Sequence, residues 1–108
     1  MRRGEVWTVA GGADYASKPR PAVVVHDDLF ADMTSVTLVT ITSDLVDAPL
    51  TRLNLVPTDQ NGLVKPSQMM VEKITTVPRS KLGRKIGRLS IEDEGRLNRA
   101  LIIYLGLA

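Results

Sequence analysis

Cysteine is absent from the 108 residues. That excludes a disulfide frame, a thiol nucleophile and a cysteine-ligated metal, and it permits a reducing compartment. Histidine occurs once, as His26, at the end of a valine run where it either caps the sheet or faces solvent. One histidine cannot build a histidine metal cage, and no nucleophile elbow accompanies it for a serine triad. Aromatic residues are equally scarce: one Trp, two Tyr and one Phe do not furnish a sheet platform for stacking bases. Gly11-Gly12 lacks the later glycine and lysine of a phosphate-cradling loop. The carboxylates stand in no recognisable cation-binding spacing, so neither metal nor cofactor is expected. The basic start Met1-Arg2-Arg3 leads into an apolar stretch that Thr8 and two glycines cut short. No export signal and no membrane span are therefore expected, and a cytoplasmic setting is.

What is present suits a single domain over residues 1–108. With 44% hydrophobic and 24% charged residues, the chain is ordinary globular material, at a size where a partner subunit helps stability. Residues 3–10 are rich in β-branched and aromatic types and predict a first strand. The run Ala22-Val23-Val24-Val25 is apolar at every position and predicts a buried second strand. Residues 36–43 are apolar on both faces and predict a central third strand. Residues 51–55 alternate as a half-buried strand should, and Asn61-Gly62 marks a turn. A fifth strand is expected over 68–75, a tight helical turn over 77–82 and a last strand over 85–89. Ser90, with Asp93 three residues on, opens a helix whose first turn carries Glu92, Asp93 and Glu94, where the helix dipole favours anions. Leu97, Leu101, Tyr104 and Leu105 predict its buried stripe, and Gly106 its end. The pattern is mainly β with a C-terminal α-helix packed on a small twisted barrel or half-barrel.

Chemistry concentrates at Lys18-Pro19-Arg20-Pro21. Pro21 fixes its own φ and pushes Arg20 toward extended geometry, so a guanidinium enters the foot of a buried strand in a defined direction. Its fork of donors suits phosphate. Lys18, two residues earlier on the same extended segment, points the same way and supports the contact. Residues 73–89 hold six cations, Lys73, Arg79, Lys81, Arg84, Lys85 and Arg88, and no carboxylate. A basic side results on a chain of net charge +2, which attracts polyanions or an acidic peptide. Arg20, Thr42, Ser43, Glu72 and this run together suggest handling of a phosphodiester. Cleaving RNA without metal requires deprotonation of the 2′-hydroxyl, stabilisation of phosphorane charge and protonation of the 5′-oxygen. An arginine is a poor base for the first task and well suited to the second, and Thr42 can position a phosphate oxygen or hold the arginine fork.

Five motifs in order, Arg3-Gly4-Glu5-Val6-Trp7, Arg20-Pro21-Ala22-Val23-Val24-Val25, Ile41-Thr42-Ser43, Gly62-Leu63-Val64-Lys65-Pro66-Ser67 and Ile86-Gly87-Arg88-Leu89-Ser90, resemble the MazF/PemK toxin family over nearly the whole chain. The resemblance implies an SH3-like β-barrel of the CcdB/MazF kind with a terminal helix, forming a homodimer. It also implies a metal-independent, sequence-specific endoribonuclease that cleaves single-stranded RNA to a 2′,3′-cyclic phosphate and a 5′-hydroxyl, silenced by a cognate acidic antitoxin. The family's catalytic arginine matches Arg20 and its active-site threonine matches Thr42, with Ser43, Glu72 and Lys18 in support. RNA contacts are expected from Lys65 and Ser67, and from Lys73, Arg79 and Lys81 of the basic run. In the PemK branch an arginine stands two residues before the acid of the fifth strand; here that position is Met70. Two other functions share the fold: a CcdB-like gyrase poison, which relies on a tryptophan near its C-terminus where this chain has Tyr104-Leu105-Gly106, and a non-catalytic binding module.

Overall fold

Valines at three successive positions, 23 to 25, require an apolar environment on both faces of one strand, and the fold supplies two. In the computed structural model, which describes residues 1–10 and 18–107, strands β1 (Glu5–Val9), β2 (Arg20–Val24) and β3 (Ser35–Thr42) run antiparallel side by side. Val23, Val25, Val39 and Ile41 face a larger core with Val6, Met69, Leu89 and Leu97. Ala22, Val24, Val36 and Leu38 face a smaller one with Val9, closed by Trp7, Val77 and Leu82. Side chains alternate across a strand, so an uninterrupted apolar run is what two-sided burial demands. The expected first loop, Gly11-Gly12 included, lies outside the described residues.

The remaining strands are β4 (Arg52–Leu55), β5 (Ser67–Met70), β6 (Thr75–Pro78) and β7 (Leu82–Arg88), followed by the helix α1 (Ile91–Leu105). Hydrogen bonding runs β4-β5-β3-β2-β1-β7, with β6 also paired to β3. β3 is central as expected, and holds β2 on one side and β5 and β6 in succession on the other. The path of the described strands is open from β4 to β7. The expected fifth strand over 68–75 is split: a 3-10 turn at Val71–Lys73 bends the chain out of β5 and into β6. Another at Arg79–Lys81 replaces part of the expected helical turn, and β7 begins earlier than predicted, at Leu82. These bends let one continuous segment pair with β3 at two places along its length.

Ser90 caps α1 by accepting the N–H of Asp93, and Gly106 ends it in the left-handed region at φ 69°. The buried stripe is shorter than the sequence predicts. Leu97, Ala100 and Leu101 are buried, but Tyr104 and Leu105 are 46% and 47% exposed; the helix rests on β4 and the Val71–Lys73 turn, and Tyr104 reaches that turn with its hydroxyl, which donates to the carbonyl of Glu72 at 3.4 Å. Arg3 pins the arrangement from the other side, donating to the carbonyl of Val25 and to Asn98 on the helix. No described helix is long and apolar enough to cross a membrane.

Glu5 is the carboxylate that the sheet buries. Burial alone would raise its pKa, but the N–H of Arg2 at 2.8 Å, the Trp7 indole at 3.0 Å and the Lys85 ammonium at 3.1 Å outweigh it and hold the value at about 2. A carboxyl whose folded value lies below its unfolded one stabilises the fold above the unfolded value and loses that contribution as pH falls through the folded one. Urea unfolding of the wild type should therefore weaken progressively from the ordinary carboxylate range down to about pH 2. Glu5→Gln should be less stable at neutral pH and show a flatter dependence across that window; an unchanged slope would remove Glu5 from this role.

Candidate active site at the mouth of strands β2 and β3

Pairing of Ala22 with Thr40 and Val24 with Leu38 fixes the β2–β3 register. Carried two residues further, that register sets Arg20, the first residue of β2, opposite Thr42, the last of β3. An open cleft of about 350 Å³ lies there. One wall is the segment Lys18-Pro19-Arg20-Pro21, whose last two residues open β2 in extended geometry. Ile41, Ser43 and Asp44 line the turn side, and Leu63, Val64, Lys65 and Ser67 the facing wall. Lys18, Arg20 and Lys65 thus oppose a single carboxylate, Asp44, among the described lining residues. A cleft with low-dielectric walls concentrates the field of such charges.

Two polar clamps hold this mouth. Thr42 is buried, 8% exposed, and its hydroxyl oxygen accepts the N–H of Asp44 at 3.0 Å. Gln68, directly opposite Thr42 on β5, is buried as well. Its Oε1 accepts the N–H of Val46 at 3.0 Å, while its Nε2 donates to the carbonyl of Val46 at 2.8 Å and to Asn54 Oδ1 at 2.9 Å. The turn that carries Ser43 and Asp44 is therefore tied at both ends. On the facing wall, buried Asn61 accepts the N–H groups of Thr58 and Leu63 and donates to the carbonyl of Val56. Gly62, at φ 72°, has no room for a Cβ, which would fall on the carbonyl oxygen of Ile86. Ser67 donates to the carbonyl of Lys65 at 2.8 Å.

Of the residues expected from sequence, Lys18, Arg20, Ser43, Lys65 and Ser67 meet at this cleft, with Thr42 buried beside it. Glu72, Lys73, Arg79 and Lys81 do not line it. Lys73 is exposed at the end of the Val71–Lys73 turn, and Arg79 donates to the carbonyl of Met33. Lys81 accepts the N–H of Ala10 through its carbonyl, just before Leu82, which pairs with Val9, while Val9 pairs on its other side with Arg20. Lys81 is thus about two strand spacings, roughly 10 Å, from Arg20. His26 also lies outside the cleft, its ring Nδ1 3.0 Å from the carbonyl of Asp27.

Glu72 has a partner that the sequence conceals. Arg52 on β4 stands opposite Met70 in register and grips both carboxylate oxygens of Glu72 at 2.8 to 3.0 Å. Position 70 has no arginine, yet a guanidinium reaches the acid from across the sheet. The Arg52 hydrogen bonds hold the Glu72 carboxyl below the usual carboxylate range and push Arg52 up. Asp44, Gln68, Asn61 and Arg52 are the residues that sequence reasoning passed over. Gln68 carried a visible signal, being a lone amide beside two methionines in a strand; Arg52 carried none, since its role depends on cross-strand register. Among the described residues no three His, Cys, Asp or Glu side chains converge on a point where they would hold a metal ion.

Residues 2–105 match the family of PemK-like, MazF-like toxins of type II toxin-antitoxin systems. A probable endoribonuclease MazF of Mycolicibacterium smegmatis is 45% identical over 108 residues, covering 100% of this chain and 99% of that protein. The endoribonuclease MazF9 of Mycobacterium tuberculosis is 34% identical over 118 residues, covering 99% and 98%. A solved endoribonuclease in complex with its cognate antitoxin, from a mycobacterial species, shares the fold with a TM-score of 0.81 at 21% identity, over 100% of this chain and 97% of that one.

Because Arg52 is the main cause of the lowered Glu72 value, Arg52→Met should move the Glu72 titration upward, read from the carboxyl carbon shift by NMR. The pair stabilises above the ordinary carboxylate range and is lost as pH falls through the folded value, so the variant should lose stability at neutral pH more than in acid. A Glu72 titration identical in both proteins would mean the two side chains do not pair in solution.

Proposed function

Since the chain belongs to the PemK-like, MazF-like toxins of type II toxin-antitoxin systems, we propose that it is the endoribonuclease toxin of such a system, cutting single-stranded RNA at the cationic cleft and thereby blocking translation and growth in the cytoplasm. The observation that carries this reading is the meeting of Lys18 and Arg20 on one wall with Lys65 and Ser67 on the other. Two relatives that cover nearly the whole chain bear the endoribonuclease name. Residues 1–108 act as one domain in this reading.

In the reaction the 2′-oxygen attacks the adjacent phosphorus, a cyclic 2′,3′-phosphate forms, and the 5′-oxygen departs. Negative charge grows on the nonbridging oxygens as the fifth bond to phosphorus forms. Groups fixed where that charge develops lower the barrier most, because they need not reorganise when it appears. Arg20 is assigned this role: its backbone is set by Pro21 and by pairing with Val9, and a planar fork of donors matches two phosphate oxygens. Thr42 joins it as the family's second catalytic residue, its oxygen engaged by Asp44 N–H and its hydroxyl proton directed to a phosphate oxygen. Ser43 supports from the same turn. Lys18 and Lys65 bind flanking phosphates, and Ser67 shapes the wall that carries Lys65. Lys73, Arg79 and Lys81 extend the electrostatic track, Lys81 lying beside the end of β1. Glu72, ionised by Arg52, serves as a fixed acceptor along the groove. No metal or cofactor enters the scheme.

The chain acts as a homodimer with RNA along the groove between subunits, and an acidic, largely disordered antitoxin folds over the basic and apolar surface to silence it. The fold's occurrence in a toxin solved with its cognate antitoxin supports that partner class.

Purified protein with EDTA present should cut RNA at a short recurrent sequence and leave 2′,3′-cyclic phosphate ends, read by end-labelling. Arg20→Ala should slow cutting by about a hundred- to a thousandfold, the cost of losing one fixed donor to developing charge, while the protein remains folded and dimeric. Undiminished cutting by that variant would remove Arg20 from catalysis.

A further inference from the structure

Asp44 lines the cleft, and while its N–H serves Thr42, its carboxylate has no part in the scheme above. Resting on the ribonuclease reading of this cleft, we propose that Asp44 is a catalytic residue, the general base that takes the proton of the attacking 2′-hydroxyl. Scission of RNA by its own 2′-oxygen needs an acceptor for that proton at neutral pH. Lysine, arginine and serine side chains are poor acceptors there, and Asp44 is the one carboxylate among the described lining residues. Glu72, the acid that sequence favoured, does not line the cleft and has both oxygens gripped by Arg52.

The turn around Asp44 is built to hold a position. Thr42 takes the Asp44 N–H, and Gln68 holds Val46, two residues on, by both its N–H and its carbonyl. A general base works only within about 3 Å of its proton, and a displacement of about 1 Å costs on the order of a hundredfold. The doubly tied turn fixes the backbone from which the Asp44 carboxylate extends. Lys18 and Arg20 from the lead into β2 and Lys65 from the facing wall are the charged groups that share the cleft with Asp44, and they place the phosphate beside it.

In the step, the 2′-oxygen forms its bond to phosphorus as its proton passes to an Asp44 carboxylate oxygen. The bond from phosphorus to the 5′-oxygen breaks, that oxygen keeps the electron pair and takes a proton from water, and Asp44 later returns its proton to solvent.

The test is Asp44→Asn in the full chain, on an RNA that the wild type cuts. The side chain is exposed, so the amide leaves the fold intact. The expected result is a kcat about a hundred- to ten-thousandfold lower with KM within about threefold, and a pH profile of kcat that has lost its acid limb. A substrate with sulfur at the bridging 5′ position, which departs without a proton, should not restore the rate. Restoration by that substrate would make Asp44 the acid and overturn the proposal. So would an unchanged kcat with a lowered KM, the mark of a carboxylate that merely repels phosphate. Cutting by both proteins alike overturns this proposal alone; a wild type that cuts no RNA overturns the ribonuclease reading and the proposal together.

Discussion

Burial of β2 and β3 on both faces is the constraint on which the rest depends. Each strand sends alternate residues into two separate cores, so a slip of one residue would exchange the contents of both cores and misfit each. The register is fixed by packing on two sides, more firmly than in a sheet with one solvated face. That register places the last residue of β3 beside the first of β2. The mouth of the cleft is the point where the two-sided burial stops and the strands run out into water.

Rigidity at this point cannot come from apolar packing, because the residues there are polar and the cleft is open. It comes from side chains that satisfy loop backbone: Thr42 and Gln68 on the β3–β4 side, and Asn61 on the segment leading to Lys65. Gly62 and Gly87 press the 56–62 loop against β7, where a Cβ on either would strike the backbone of the other segment. Buried amides of this kind are costly when half satisfied. No buried side-chain nitrogen or oxygen among the described residues lacks a partner. The walls are therefore preorganised by the same groups that close the hydrogen-bond account of the loops.

Legibility from sequence followed the range of the interaction. The β2 valine run, the Asn61-Gly62 turn, the Ser90 cap and the Gly106 stop are local signals, and each holds at its expected position. Arg20 and Thr42 stand out through motif resemblance; the β2–β3 pairing ends at Ala22 and Thr40, with both residues just beyond it at the same end of the two strands. The break in the fifth strand was not legible, since Val71 to Lys73 carry no glycine or proline and the bend follows from β3 needing two partners on one side. Tyr104 and Leu105 keep helical spacing but lie at the margin of the surface the helix covers, about half exposed, which periodicity within one helix cannot report. Gln68 stands out as a lone amide in a strand, but its partners, like that of Arg52, depend on which residues lie across from it, a quantity that only the folded register supplies.

That distinction also reorders the basic run. Read linearly, residues 73–89 form one cationic block; in the fold the six charges have different employments. Lys85 is committed to buried Glu5 and Arg79 to the Met33 carbonyl, so both serve the sheet. Lys81, whose carbonyl accepts the N–H of Ala10, stands across β1 from Arg20 with its side chain exposed. A strongly salt-dependent affinity needs several simultaneous phosphate contacts, and the cleft alone offers Lys18, Arg20 and Lys65. The β7 edge adds to these only through cations that the sheet has not already used. The basic face is therefore smaller in effect than its count of basic residues suggests, because part of that charge is already committed to bracing the sheet.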